Sequence, residues 1–590
     1  MKKILSVLLT VVLACATMPL VGCNGNDEDA NYTGNKTQLR VGVYDGGLGH
    51  VWLEKVARSF EEKFAQTSFR EGEMGVRIRI NPQKADMLID KVTAAIEMNN
   101  DAEDVYFLCQ FTGTPFIYKG YSRNITTMVT DKVYLENGEL ADMEYDATTH
   151  KLKLKAGAVA PTVSIADKMP ETTRTGYYMT GLQNGFADGY YSLPFESSLS
   201  GLIYDHDLFE EEGWLNYDGI DGLPDTEEQF FDLLDRMVDA QVIPFTFSAF
   251  SHGYWGGLAD AYIAQYEGFD VAELDYTFDG EYTFPAGTFD MSTQALRDKY
   301  TALGLTENAD GTQTLQVNRN NAWMLSHTTG KKKWVEFMRR LCTPKYYDQK
   351  VYDANFTYLE SPKNFILSEL GKTGQKRIAM LYEGEWWENE NRSQFNYTGG
   401  YGKRDFRFFP LPYIEGQKDP DMRSVGEYSR GVDLFINDKT TKGDVAEIFL
   451  QYVHSESALE TFTMETGITR SYRYDLSDEQ LAKVSKFGQN VYKIKMSGTS
   501  DVTVTTSRAR LVGDPFWDEF QMGFGGYVQS SLEGEVNSYD VLQHPCRFFV
   551  NNAGVNGSPY VSAESFLEGT YKYYSEENWN RLLTAWESQR

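Results

Sequence analysis

Aromatic residues set among glycines and polar groups are the part of this chain best suited to chemistry. They occur in Phe250-Ser-His-Gly-Tyr254-Trp255-Gly-Gly, in Gly384-Glu385-Trp386-Trp387 and in Asp514-Pro-Phe-Trp517. Tyr44-Asp45-Gly46-Gly47 and Gln110-Phe111-Thr112 add two smaller groups, and Glu196, Ser198 and Arg430 stand singly. What such residues do together is recognition. A ring stacks on a flat C–H face, a carboxylate accepts from neighbouring hydroxyls, and arginine or an amide donates, which is what binding a sugar requires. Bond-making chemistry has no comparable signature. Gly371-Lys372-Thr373 ends like a P-loop, but Ile366 stands where the pattern needs glycine. Seven histidines lie far apart without His-Glu-x-x-His, and there is no Gly-x-Ser-x-Gly. Among 85 Asp and Glu residues a pair such as Glu383 and Glu385 marks no hydrolase by itself. Carboxyls roughly 5 Å or 6.5–9.5 Å apart across a cleft would. We expect no catalytic residue, no metal site and no cofactor.

The elements that must position these groups follow an α/β rhythm. Leu39, Val41 and Val43 alternate with polar or small residues, as in a strand, and Leu53, Val56, Phe60 and Phe64 follow at helical spacing. Val76, Ile78 and Ile80 alternate with Arg77 and Arg79, and Leu88, Val92, Ala95 and Ile96 mark another helix. Asp104–Cys109, nearly all apolar, reads as a strand buried on both faces. This β-α-β-α-β order argues for a largely parallel sheet. Tyr44-Asp45 and Gln110-Phe111 then fall at strand ends, where ligands approach such sheets. The same residues also suit a turn stabilised by Asp45 and a packed Phe111. Thr226 and Gln229 form a capping box ahead of a helix with Phe230, Leu233, Leu234 and Met237 on one face. Gly431–Ile436 alternates again and feeds a helix faced with Val445, Ile448, Phe449 and Tyr452. Residues 131–177, with Asn137-Gly138, and 275–360, with Asp310-Gly311, read as inserted hairpins or loops. Adjacent aromatics flanked by glycines place Tyr254 and Trp255 on a loop that presents rings.

The N-terminus and the charge restrict the setting. Lys2 and Lys3 precede an apolar run from Ile4 to Ala14, which reads as a secretory signal over residues 1–22. It ends in Leu20-Val21-Gly22-Cys23, which resembles the bacterial lipobox and implies lipid on Cys23. More than one acyl chain there would hold the protein firmly on a membrane. Residues 23–37 would be the lipidated cysteine and a flexible tether spanning roughly 20 Å. Loss of residues 1–22 removes two lysines and no acid from a chain of net charge −29, leaving −31. Such a surface repels nucleic acid. Cys109, Cys342 and Cys546 are widely spaced, so ordinary burial suits each better than a metal or disulfide framework.

One stretch carries a family resemblance. Ser192-Leu-Pro-Phe-Glu-Ser-Ser-Leu-Ser-Gly-Leu-Ile-Tyr204-Asp-His-Asp-Leu-Phe209, with Gly213-Trp214 and Leu223-Pro-Asp-Thr226 behind it, resembles the signature of extracellular solute-binding proteins of ABC importers. That sugar-binding family includes maltodextrin-binding protein. The resemblance implies a two-lobe, type II periplasmic-binding-protein-like α/β fold, its discontinuous lobes joined by a hinge around a ligand cleft. Lobe 1 would hold residues 38–190 and 431–472, and lobe 2 residues 191–430 and 473–590. Crossings would fall near 191–195, 427–431 and 470–475.

The resemblance also implies roles. Lys376-Arg-Ile-Ala-Met380-Leu-Tyr-Glu-Gly384-Glu-Trp386 resembles the family's Ala-Met-x-x-x-Gly-x-Trp motif, in which a strand ends at glycine and the tryptophan stacks on sugar. Trp386 takes that place, Glu385 joins it as a hydrogen-bonding carboxylate, and Trp387 packs elsewhere. Relatives carry an aromatic pair near Tyr254 and Trp255, cleft residues near Phe111, and a further tryptophan in a segment like that of Trp517, for which core packing stays open. Glu196 and Ser198 follow the crossing strand, and one of them enters the cleft. Arg430, at the return crossing, donates to ligand or pairs with a carboxylate. The implied function is a lipid-anchored monomer on the outer face of the membrane that captures a carbohydrate, an oligosaccharide, and delivers it to ABC permease subunits. A binder of another solute such as a peptide on the same fold, or a secreted glycoside hydrolase, are the alternatives.

Overall fold

The computed structural model describes residues 34–83, 89–98, 102–109, 114–180, 182, 185–247, 253–352, 355–371, 375–430, 432–496, 503–506, 563–564, 567–568, 571 and 574–588. The signal segment, Cys23 with most of its tether, Phe111 and Trp517 lie outside them. Ser198, Tyr254, Trp255 and Arg430 are described through their backbone alone. No helix among the described residues is long and apolar enough to cross a membrane.

The chain opens with β1 (Thr37–Tyr44), α1 (Val51–Lys63), β2 (Val76–Gln83), α2 (Ile89–Met98) and β3 (Val105–Cys109). β1 lies parallel to both β2 and β3, with Val41 opposite Ile80 and Val105. Leu39, Val41 and Val43 enter the core on one face of β1, and α1 covers that face with Trp52, Leu53, Val56 and Phe60. Period two in the strand and period 3.6 in the helix therefore meet on one apolar surface.

Next, β4 (Leu193–Pro194) pairs with the first sheet, and β5 (Ser197–Asp205) belongs to the second. The chain passes between the sheets at Phe195 and Glu196. Pro194 is tolerated because β4 is an edge strand, where a missing N–H interrupts no ladder. α3 (His206–Glu211) and α4 (Glu227–Asp239) follow. The capping box is formed, Gln229 Oε1 accepting from the Thr226 N–H at 3.2 Å and Thr226 Oγ1 from the Gln229 N–H at 3.3 Å. Phe230, Leu233, Leu234 and Met237 of α4 are all buried. β6 (Ile243–Thr246) and α5 (Gly253–Glu267) lead into the inserted segment. There β7 (Gly280–Phe284), β8 (Leu305–Glu307) and β9 (Gln313–Val317) make an antiparallel sheet. Gly311, at φ +85°, turns β8 into β9, and the Asn308 N–H donates to the Thr312 carbonyl at 2.8 Å. The earlier insertion turns at Gly138, φ +79°, whose N–H donates to Leu135 at 2.9 Å.

After α6 (Thr329–Leu341), in whose C-cap Cys342 is a buried thiol, β10 (Ile378–Gly384), α7 (Trp387–Glu390) and β11 (Phe406–Phe408) complete the middle of the chain. β12 (Ser424–Arg430) pairs with β5 in the second sheet, and β13 (Val432–Ile436) pairs with β3 in the first, one residue apart. The first sheet runs β2-β1-β3-β13-β4. The second runs β6-β10-β5-β12-β14, with β14 (Thr503–Thr506) at its edge and β11 alongside β5. The first sheet pairs in parallel along β2-β1-β3, and the second mixes directions. Every residue of β13 is buried, where alternation predicts one wetter face. The reason is a second apolar cluster, Phe435 with Tyr106, Leu108 and Phe116, covering the opposite side. α8 (Gly443–Val453) and α9 (Glu456–Thr466) pack around α1, and the chain continues to α10 (Lys486–Met496), which packs on β11. The last described helix, α11 (Glu576–Glu587), puts Trp579, Leu582, Leu583 and Trp586 into the core of the inserted sheet.

Candidate functional site

Several of the candidate residues lie along the seam between the two sheets. β10 is buried along its whole length and stops at Gly384. The Trp386 indole folds back over that glycine so closely that a Cβ there would collide with the six-membered ring. Gly384 is thus fixed by close approach. From the first sheet, the loop after β1 meets the same tryptophan, since a Cβ on Gly47 would lie 3.2 Å from Trp386 Cβ. Asn389 Nδ2 donates to the Gly47 carbonyl at 3.1 Å, and Arg392 Nη2 donates to the Glu465 carbonyl at 2.8 Å. Trp386 is half-buried between the two units, whereas Trp387 is fully buried, edge-on to Phe406 at 5.0 Å and to Phe487 at 5.6 Å.

Tyr44 is half-buried, packed against the core at the end of β1. Asp45 holds the following turn, its Oδ1 2.6 Å from His50 Nδ1 and its N–H donating to Gln83 at 2.6 Å. The turn role therefore occupies one of its carboxylate oxygens.

Glu385 makes its charged contact inside the protein, buried in an ion pair with Lys495, Nζ to Oε1 at 2.6 Å, with side-chain exposures of only 2% and 4%. Its N–H donates to Leu199 at 2.8 Å, and its Oε2 is buried without a hydrogen-bond partner. Burial pushes its carboxyl up to about 7 against the pull of Lys495. Glu383 is buried as well, with Oε1 accepting the Gly384 N–H at 3.0 Å. Glu196 sits at the crossing, half-buried, its N–H donating to Val432 at 2.9 Å. Its surroundings push its carboxyl up to about 8, first through desolvation and then through the charge of Glu385, with Lys495 and Arg470 opposing.

Arg470 and Lys495 were not singled out in the sequence, and both organise the crossings. Arg470 is buried with its guanidinium 3.9 Å over the Phe195 ring and Nε donating to the Phe195 carbonyl at 3.1 Å. Desolvation lowers its pKa to about 10. Tyr472 donates to the Pro194 carbonyl at 2.7 Å, and Lys495 reaches the Thr469 carbonyl at 3.3 Å. The segment from Thr469 to Tyr472 thus binds the first crossing, and Trp52 stacks on Phe195 at 4.4 Å beneath it.

Ser198 pairs with Ser429, and Arg430 with Ser197, along the β5–β12 ladder beside this seam. Tyr254 and Trp255 differ from expectation. They occupy the first turn of α5 and not a loop. The helix continues through Leu258, Ala259, Ala261, Tyr262, Ile263 and Ala264, all buried, and that packing outweighs the roughly 1 kcal/mol that a helical glycine costs.

A family model described as bacterial extracellular solute-binding protein matches residues 53–460, more than half of the chain. A chitin oligosaccharide binding protein is similar in structure, with TM-score 0.52 and 13% identity over 92% of this chain and 100% of that one. A structure from work on xylan utilisation by the thermophilic bacterium Caldanaerobius polysaccharolyticus gives TM-score 0.50 and 13% identity over 91% and 100%. These likenesses show the fold, mixed α/β of the type II periplasmic-binding-protein kind. No curated protein sequence matches. On the family match, this chain belongs to the bacterial extracellular solute-binding proteins.

Proposed function

We propose that the solute is a carbohydrate, an oligosaccharide, bound in the seam between the lobes and passed to the permease of an ABC importer. The observation that carries this reading is Trp386, a half-buried indole lying over Gly384 and facing the first-lobe loop at Gly47. A flat aromatic face with one side supported and polar groups nearby suits a sugar ring. Tyr44, at the end of β1, and the carboxylate of Glu196, at the crossing, are proposed as its complements. The lobes are proposed as residues 38–190 with 431–472, and 191–430 with 473–590. Glu385 supports the hinge through Lys495 and need not touch ligand. Binding without catalysis fits the engagement of Glu385 by Lys495 and of Glu383 by the Gly384 N–H. Hinge closure would be driven only by the contacts that ligand gains in the closed form.

Titration calorimetry of the mature protein against a panel of xylo-, chito- and galacto-oligosaccharides tests the reading. Saturable binding of an intact oligosaccharide is expected. Binding of peptides with none of the sugars would overturn it.

The proposed role of Glu196 has a pH signature. A sugar hydroxyl donates best to an ionised carboxylate, so ligand selects the deprotonated form. With its carboxyl at about 8 in the free protein, the competent fraction grows from about a tenth at pH 7 to about nine-tenths at pH 9. Affinity should rise about tenfold over that interval, and Glu196→Gln should flatten the profile. A flat wild-type profile removes Glu196 from the site.

Family membership places the chain outside the cytoplasm. Anchoring through lipid on Cys23 and a monomeric state complete the proposal. Replacing Cys23 with alanine should release the protein from the membrane fraction, as judged by immunoblotting. Unchanged processing and retention in the membrane would refute the anchor.

A further inference from the structure

At the far end of β5 from the crossing, roughly 25 Å along the strand, acidic side chains gather around a histidine whose contacts are incomplete. His206, Asp207 and Glu210 of α3 place one ligand atom each within 4.8 Å of one another. His206 and Glu210 are one helical turn apart and share a face. Asp405, just before β11, enters from a distant part of the chain. His206 Nδ1 lies 4.0 Å from Glu210 Oε2 and 3.8 Å from Asp405 Oδ2. Neither distance is a hydrogen bond. Nδ1 is buried without a hydrogen-bond partner, on a side chain only 9% exposed.

A buried nitrogen left unsatisfied is costly, and the gaps around it are informative. Two ligands on one ion, with bonds of about 2.0–2.2 Å at tetrahedral angles, sit ~3.3 Å apart. The two His206 separations exceed that by about 0.5–0.7 Å and the cluster spans up to 4.8 Å, so an ion would have to draw the exposed Glu210 side chain inward by rotation. The backbone holds the two segments in register. His206 N–H donates to the Asp405 carbonyl at 2.9 Å, and Asp405 N–H donates to Asp207 Oδ2 at 3.1 Å. Arg407 holds both Asp405 oxygens, Nε at 3.1 Å and Nη2 at 2.7 Å, so Asp405 would share its carboxylate between that guanidinium and an ion. Arg404 and Arg377 are taken up by Asp205 and Glu211, and among the described residues no lysine or arginine pairs with Asp207 or Glu210.

We propose that His206, Asp207, Glu210 and Asp405 form a binding site for one divalent transition-metal ion, with His206 Nδ1 as the nitrogen ligand. One imidazole among carboxylates suits zinc or manganese. The ion would tie α3 to β11 in the second lobe, away from the solute, so it is structural. Cysteine spacing and a two-histidine motif do not register His-Asp-x-x-Glu completed by a carboxylate far along the chain.

The test uses the untagged mature protein, stripped with chelator and dialysed, then titrated with zinc chloride and separately with manganese chloride. At least one of the two ions should bind with one-to-one stoichiometry and raise the melting temperature. His206→Gln and Glu210→Gln should each weaken that binding by about tenfold or more, the loss that even an outer-shell partner can carry. Glu212→Gln, an exposed acid outside the cluster, should leave it unchanged. Because Glu210 is largely exposed, its variant keeps the fold even if the buried histidine variant does not. Absence of a stoichiometric ion in the wild type, or wild-type affinity in either site variant, overturns the proposal.

Discussion

Replacing Lys495 with methionine should cost roughly 3–5 kcal/mol of stability at pH 8, because it leaves the Glu385 carboxylate buried without its countercharge. The pair is closed at 2.6 Å and almost fully removed from water, so solvent cannot take the place of the lost ammonium. The pH dependence gives the effect a signature. The Glu385 carboxyl is raised to about 7 in the folded chain, above its ordinary value of 4.5. The native state therefore holds this proton more tightly than the unfolded state does. Its contribution to stability is present below about pH 4.5 and is lost as pH rises through about 7. In the methionine variant the carboxyl rises further still, so at pH 5 it is neutral and needs no partner. The deficit against wild type should therefore shrink between pH 8 and pH 5 in urea melts. Glu385→Gln placed on top of Lys495→Met should recover much of the loss, as replacing both members of a buried pair often does. An equal deficit at both pH values would mean that the lysine stem packs and its charge does not matter.

The contrast between Glu385 and Thr226 shows which features the sequence can reveal. The capping box at Thr226 and Gln229 is local, closed within four residues, and the pattern that predicts it is the contact itself. The apolar faces of α1 and α4 are read in the same way, because burial imposes a period that the chain must repeat. Trp387 belongs with these, since adjacent side chains point to different sides of the backbone, and Trp386 is the one that lies over Gly384. Glu385 depends on a residue 110 positions away. Nothing near Lys495 announces that it will be buried, and the ion pair exists only because α10 returns to the second sheet. Arg470 is similar, its role set by Phe195 some 275 residues earlier. The helix start at Gly253 and the two-sided burial of β13 fail for a related reason. In both, packing from remote segments overrides a local preference that favours a loop or a half-wet strand.

Trp386→Ala should weaken oligosaccharide binding by about 2 kcal/mol or more, roughly thirtyfold, while leaving most of the folding stability in place. The indole is half-buried and rests on Gly384, with Gly47 of the other lobe 3.2 Å from its Cβ by the path of an added methyl. Its truncation removes a stacking face and a contact with the Gly47 loop, and because the ring packs on the edge of the core and is only half-buried, the stability loss should stay below that of a fully buried tryptophan. Trp387→Ala is the internal control. That ring is fully buried against Phe365, Phe406 and Phe487, so its loss should open a cavity costing about 3–5 kcal/mol of stability. Thermal melts and titration calorimetry on both variants separate the two roles, since one should lose affinity and the other stability. If Trp386→Ala melts early and yet binds normally once folded, the ring is part of the core. The solute would then have to be sought elsewhere along the seam, nearer Tyr44 and Glu196.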